Sequence, residues 1–291
     1  MKPSRFEFAA PRSLDEALVL LASVDGAKVL AGGQSLLPML NMRSIAPSML
    51  IDLQHIASLK TVTAADNTLV IGAMVRQRDC ERDEAIARLN PLLPAVLRHV
   101  GSVAIRNRGT VVGSLCQADA AAELPLLLTL LDGAVVARSV CETRQLSARQ
   151  LFVANGITSV RRDEIVTEAR FPVLGQRAAW AFNAFSRRKN DRALCMVGAL
   201  IQHDRDGRAV DVRLAAAGIA STPIRLPQAE AVLIGGLLDQ HRATEAGRAA
   251  EASVTVGDDF RASSSYRRRL VQVLVQRTVT QALERLERMQ S

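Results

Sequence analysis

The sequence predicts a mixed helix-and-sheet protein made of two or three folding units, and three observations point there. Its 291 residues are more than one small hydrophobic core usually organises. A helix–strand alternation opens the chain, with the capping sequence Ser13-Leu14-Asp15-Glu16 followed by an apolar run that breaks at Gly32-Gly33. Strand pairs and a long amphipathic segment, Tyr266 to Arg288, close it.

Taken in order, Ser13 can cap the first turn while Glu16 reaches back to the cap N–H, so a helix starts there. Leu14, Ala17, Leu18, Leu21 and Ala22 keep the helical period, and Asp25-Gly26 stops it. Lys28 to Ala31 and Met49 to Leu53 read as short strands, completing an alternating module of about sixty residues. A strand at Thr68 to Ala73 precedes helices between Asp83 and Val100, interrupted by Pro91 and Pro94 and ended by Gly101. Arg106 to Ser114 reads as a polar, glycine-punctuated loop before the apolar run Leu124 to Leu131 and a strand at Ala134 to Arg138. Further strands are expected near Glu164 to Phe171 and Ala179 to Phe185, with Pro172 and Gly175 marking a boundary between them. Met196 to Gln202 and Val210 to Ala217 flank Asp206-Gly207 as a hairpin. Helices follow near Gln228 to Ile234 and Thr244 to Ala252, and the last one should lay Leu270, Val273, Leu274, Val279, Leu283 and Leu286 on its own domain's sheet.

Composition excludes more than it identifies. Hydrophobic residues at 48% and charged residues at 23% describe a folding chain, not a disordered one. Lys+Arg outnumber Asp+Glu by 37 to 29, a net +8, and only Lys2, Lys28, Lys60 and Lys189 are lysines. The densest groups are Arg187-Arg188-Lys189 and Arg267-Arg268-Arg269, but few aromatics are present to stack on bases, so a nucleic-acid groove is not expected. Neither a signal-peptide core near Lys2 to Phe8 nor a membrane span is visible, which predicts a cytoplasmic protein. Cys80, Cys116, Cys141 and Cys195 form no C-x-x-C pair, and His55, His99, His203 and His241 are dispersed, so no metal site and no catalytic acid–base set is expected.

Two segments carry chemistry, Ala31-Gly32-Gly33-Gln34-Ser35 and Thr110-Val111-Val112-Gly113-Ser114. In the first, a strand ends in two glycines and Ser35-Leu36-Leu37-Pro38 can open a short helix. Glycine lets the backbone approach a bulky anion, and free N–H groups can then face it, so such a loop can cradle a pyrophosphate. Taken alone, a Gly-Gly turn after a strand is more often structural.

In context the chain resembles the FAD-binding medium subunits of molybdenum hydroxylases, the family of carbon monoxide dehydrogenase medium chains and xanthine dehydrogenase FAD subunits. Phe6-Glu7-Phe8 with Pro11 matches the family's opening, Leu30 to Arg43 with Pro47 and Leu50 to Leu53 its first flavin segment, and Ile71-Gly72-Ala73 follows. Ile105 to Thr110 leads to the second segment, continued by Ala118-Asp119 to Pro125, and Asp259-Phe260-Arg261 with Tyr266-Arg267-Arg268 resembles a C-terminal signature. The resemblance implies an α+β chain: a two-part FAD-binding domain of the vanillyl-alcohol-oxidase (PCMH) type over 1–174, divided near 57/58, then a smaller C-terminal flavoprotein domain over 177–288. It implies that Val29, Leu30, Ala31, Gly32, Gly33, Gln34, Ser35 and Leu36 hold the pyrophosphate and adjacent ribose, with Thr110, Val111, Val112, Gly113 and Ser114 gripping from the other side. Glu123 falls where relatives carry an acidic residue near the cofactor, and Arg192, after Asn190-Asp191, near an aromatic position against the ring.

By the same resemblance the chain is an FAD-carrying electron-transfer subunit without catalytic residues of its own. A large molybdopterin subunit and a small [2Fe–2S] subunit would be its partners, in a dimer of heterotrimers. The family's second loop usually reads T-x-G-G-N, and here Val112 replaces a glycine and Ser114 an asparagine. A left-handed conformation at Val112 would cost about 1–3 kcal/mol, which predicts an altered grip on FAD. The competing expectation is a structural or assembly subunit with a degenerate flavin site.

Overall fold

A computed structural model of the chain describes residues 2–175, 177–188 and 191–290, with the side chains of 289 and 290 set aside; Met1, Lys189 and Asn190 of the sequence reading lie outside them. The chain begins β1 (Glu7–Ala9), α1 (Leu14–Ser23), β2 (Lys28–Leu30), α2 (Leu36–Asn41) and β3 (Met49–Asp52). Ser13 caps α1 by accepting the Glu16 N–H at 3.2 Å, and Glu16 Oε2 accepts the Arg12 N–H. β1 and β2 flank β3 in parallel, so this sheet has the order β1-β3-β2, and Met49–Asp52 is buried throughout.

The next stretch runs β4 (Val62–Ala65), β5 (Thr68–Gly72), α3 (Gln77–Arg82), α4 (Glu84–Leu89), α5 (Leu92–Leu97), α6 (Val103–Arg106), α7 (Val111–Gln117) and α8 (Glu123–Leu130). β6 (Ala134–Arg138), β7 (Thr143–Ser147), α9 (Ala148–Leu151), β8 (Phe152–Ala154), β9 (Ile157–Thr158) and β10 (Ile165–Pro172) complete it. β4-β5-β10-β6-β7 form an antiparallel sheet. The loop expected over 106–114 is confined to 107–110, with α6 ending at Arg106 and α7 beginning at Val111, because Ser102 Oγ accepts the Ile105 N–H and Thr110 Oγ1 accepts the Gly113 N–H at 2.9 Å. β4, β7 and the β8–β9 hairpin carry no apolar alternation, and the sequence reading passes over them.

The last part is β11 (Ala178–Phe185), β12 (Cys195–His203), β13 (Ala209–Ala217), β14 (Ile224–Arg225), α10 (Pro227–Leu233), α11 (Gln240–Ser253) and α12 (Ser264–Gln290). Strands β11-β12-β13-β14 pair antiparallel in that order, with the hairpin at Asp206-Gly207. Both faces of this sheet are buried, which accounts for the unbroken apolar run Cys195 to Ile201. Cys195, Val197, Ala199 and Ile201 face α10–α12, while Met196 and Leu200 join the core of the first 174 residues. Gly198 lies so close to Leu130 that a Cβ would come within 2.7 Å of its Cδ2. α12 buries Leu270, Val271, Leu274, Val275, Val279, Ala282 and Leu286; Val273 points outward, contrary to expectation. The Arg267–Arg269 group also divides: Arg267 is buried against Asp259, Arg269 bonds Gln272, and Arg268 is exposed, with its charge acting on the Asp258 carboxylate.

Buried carboxylates fix the antiparallel sheet to its loops. Glu164, with its side chain 1% exposed, takes Arg144 on both oxygens at 2.6 and 2.7 Å and the Arg161 N–H at 2.7 Å. Burial alone would raise its pKa, but these donors outweigh it and hold the carboxyl below its ordinary range. Its contribution is therefore complete above the pKa of an unfolded glutamate and is lost as pH falls through the lower native value. Glu164→Gln should destabilise the chain by about 2 kcal/mol at neutral pH, with the gap to wild type closing in acid, as read by thermal unfolding across pH.

Candidate functional site

A cleft of about 1230 Å³ runs between the opening parallel module, helices α6–α8 and the loop before β12. Its floor is a backbone crossing. A Cβ on Gly32 would lie 2.4 Å from the Arg108 carbonyl oxygen and 2.7 Å from the Gly109 Cα, so only glycine allows the two segments to meet. Gly33 follows at φ +72°, in the left-handed region, and turns the chain into α2. No acceptor among the described residues takes the N–H groups of Gly32, Gly33, Gln34 or Ser35. They form a short row of donors of the kind an anionic group can use.

The opposing wall is pinned from behind. The Gln77 N–H donates to the Gly109 carbonyl at 2.8 Å, Arg76 and Thr110 form an antiparallel bridge, and the Val111 N–H reaches the Val75 carbonyl. Thr110 thereby starts α7 at the cleft edge with Val112, Gly113 and Ser114 facing in. Val112 lies in the helix, and it is not among the residues with positive φ. The strain expected at that valine is absent, because the segment coils as a helix where a glycine turn was anticipated.

Of the sequence-predicted residues, Val29, Ala31, Gly32, Gly33, Gln34, Ser35 and Leu36 line one side of the cleft, and Thr110, Val112, Gly113, Ser114, Glu123 and Arg192 the other. Leu30 and Val111 do not line it; Val111 is wholly buried in the core. Arg192 reaches across from the loop before β12 to the Asp119 carboxylate and lies 3.4 Å from Asn155 Oδ1, so it straps the cleft mouth. Glu123 sits at the start of α8, where burial and then the nearby Asp119 charge raise its carboxyl to about 7.

Sequence reasoning missed several lining groups. Gln77 is buried beneath Thr110, donates Nε2 to its carbonyl at 3.3 Å, and leaves Oε1 without a partner. His99 lines the cleft and packs edge-on against Phe182 of β11, with centroids 4.9 Å apart. Neither residue stands in a motif; only the folded chain brings them to the cleft. A glycine cradle, unpaired backbone donors and a long half-apolar wall fit an elongated cofactor with a phosphate-bearing middle.

Comparison with known proteins agrees with that geometry. Residues 4–174 match the family model described as the FAD binding domain in molybdopterin dehydrogenase, and residues 180–282 the CO dehydrogenase flavoprotein C-terminal domain. The nicotine 6-hydroxylase medium subunit of Paenarthrobacter nicotinovorans is 38% identical over 97% of this chain and 99% of its own length. The 6-hydroxypseudooxynicotine dehydrogenase complex subunit alpha of the same organism is 36% identical over 98% and 97%. Among solved structures, quinoline 2-oxidoreductase from Pseudomonas putida 86 superposes with a TM-score of 0.94 at 33% identity, covering 98% of this chain and 99% of the other.

Two outcomes test the geometry. Gly32→Ala forces backbone apart at a cost of about 1–3 kcal/mol, so FAD bound per chain should fall about tenfold, measured by flavin release and absorbance. For Glu123, a native pKa above the unfolded value means that stability is lost as pH rises from about 4.5 towards 7. The flavin-free Glu123→Gln chain should accordingly melt with wild type at pH 4 and above it at pH 8.

Proposed function

Since the chain belongs to the family of FAD-binding medium subunits of molybdenum hydroxylases, an oxidoreductase family, we propose that it forms the electron outlet of such a complex. In this reading the Gly32-Gly33 donors would hold the FAD pyrophosphate, with Thr110 to Ser114 opposite, and Glu123 and Arg192 bound the cleft further along. When bound, FAD accepts electrons singly and releases them singly or in pairs, which suits a relay between iron–sulfur clusters and an external acceptor. The chain's own residues position and shield: the glycine crossing sets the depth of the cradle, Gln77 braces the Thr110 carbonyl, and the Arg192–Asp119 strap restricts access at the mouth.

The observation that carries this reading is the meeting of the two predicted segments around one cleft, with the donors of the first unpaired. The unstrained helix at Val112 supports a retained flavin site over the degenerate one, with Ser114 still in place of the family's asparagine. We assign residues 1–174, in two parts near 1–57 and 58–174, to FAD binding and 177–288 to the C-terminal flavoprotein domain. The partners are a large molybdopterin subunit and a small [2Fe–2S] subunit, arranged as a dimer of heterotrimers in the cytoplasm. No helix among the described residues is long and apolar enough to cross a membrane.

A complex purified from the native source through a tag on this chain should contain FAD, molybdenum and iron. Its flavin absorbance should bleach on adding substrate and return with an acceptor. N-heteroaromatic compounds are the first substrates to offer, because relatives named for nicotine and quinoline align over nearly the whole chain. A flavin that stays oxidised while the iron–sulfur signal bleaches would rule out the outlet role.

A further inference from the structure

Phe260 is 95% exposed, the most exposed large apolar side chain among the described residues. A lone exposed apolar residue usually needs no explanation. The turn beneath this one is different, because its backbone is pinned on both sides of the phenylalanine. Asp259 Oδ1 accepts the N–H groups of Arg261 at 2.8 Å and Ala262 at 3.0 Å, and the Asp259 N–H donates to the Ala262 carbonyl at 3.2 Å. Asp259 Oδ2 takes Arg267 at 2.6 Å, and Arg267 also donates to the Gly257 carbonyl at 3.3 Å. Arg267 is buried to 6% exposure and holds Asp259 down to about 2. An aromatic side chain on a turn whose backbone freedom is already spent is a preorganised contact.

The surroundings specify what would cover it. Arg261 donates to the Arg192 carbonyl, Arg187 donates to the Arg261 carbonyl, and exposed Arg268 stands one turn into α12. Carbonyl oxygens leave a guanidinium's charge uncompensated. Of the nearby carboxylates, Asp259 is paired to Arg267, while Asp258, beside Arg268, and Asp191 accept backbone N–H groups and keep their charge, so Arg187, Arg261 and Arg268 still outnumber them. An exposed ring amid a surplus of cations is complementary to an apolar socket rimmed by carboxylates.

We propose that Phe260, with Arg187, Arg261 and Arg268 around it, anchors this chain to another subunit of its complex through an acid-rimmed apolar socket on that subunit. The proposal rests on the reading of the chain as a complex subunit. It also ties the contact to the flavin cleft, since Arg261 holds the carbonyl of Arg192, which straps the mouth. Nucleic acid is a poorer occupant, because a single aromatic offers no series of stacking platforms.

The test uses the complex isolated through a tag on this chain, with molybdenum and iron per chain measured on serial dilution. Phe260→Ala should weaken retention of the metal-bearing subunits about thirtyfold, the scale of a hot-spot truncation, with flavin content and melting temperature of the isolated chain unchanged. Arg187→Glu with Arg268→Glu should weaken it as well, and wild-type retention should loosen with salt. Phe8→Ala, an exposed phenylalanine on β1, should leave it intact. Wild-type metal content in Phe260→Ala would overturn the proposal. So would equal loss in Phe8→Ala, a fall in melting temperature parallel to the loss, salt-steep binding of a DNA oligonucleotide abolished by Phe260→Ala, or self-association of the isolated chain abolished by it. A wild-type chain holding flavin but no metal-bearing subunit overturns it too, while a chain without flavin overturns the functional reading first.

Discussion

The site depends on one steric constraint, the passage of Gly32 over Arg108 and Gly109 with no room for a Cβ. That crossing brings the end of β2 against the segment that enters α7, so a parallel module and a helical layer share one cradle. Everything else at the cleft is arranged to keep the crossing in register. Gln77 fastens Gly109 from below, Arg76 bridges to Thr110, and the buried Arg106–Glu81 pair at 2.8 Å holds the end of α6. A crossing made of backbone has little freedom to adjust, and its supports are polar groups at or below the surface, of which Gln77 keeps one oxygen unpaired.

The elements with a strong period or a cap were legible in the sequence. Ser13 and Glu16 located α1, Asp206-Gly207 located the β12–β13 hairpin, and the apolar stripe located α12. Short strands such as Val62–Ala65 were not, because their side chains are exposed on both faces and leave no pattern. The segment from Arg106 to Ser114 reads as a loop throughout, although α7 begins within it at Val111, because its glycines mask the cap at Thr110, whose action depends on local geometry. At the site, the glycine-bearing stretches could be found by motif. Gln77, His99 and Asn155 come from elsewhere in the chain and announce nothing until folding brings them together.

The arginine surplus also takes on a meaning that composition could not give. Much of it is spent internally: Arg144 on Glu164, Arg213 and Arg225 on Asp132, Arg267 on Asp259. Arginine suits this task because its planar fork satisfies two oxygens at once and stays charged when partly buried. The pairs at Asp132 join β13 and β14 to the loop after α8, so they reinforce the seam between the C-terminal sheet and the rest of the chain.

The doubly covered sheet β11–β14 has a consequence for how the protein is made. Met196, Leu200 and Ala215 belong to a core most of whose other members are synthesised much earlier, from Ala17 onward. A ribosome would release the first half of the chain with an apolar surface and nothing to lay on it until β12 and β13 emerge. The nascent chain therefore passes through an interval of exposed hydrophobic area in which chaperones, or aggregation, compete with completion of the fold.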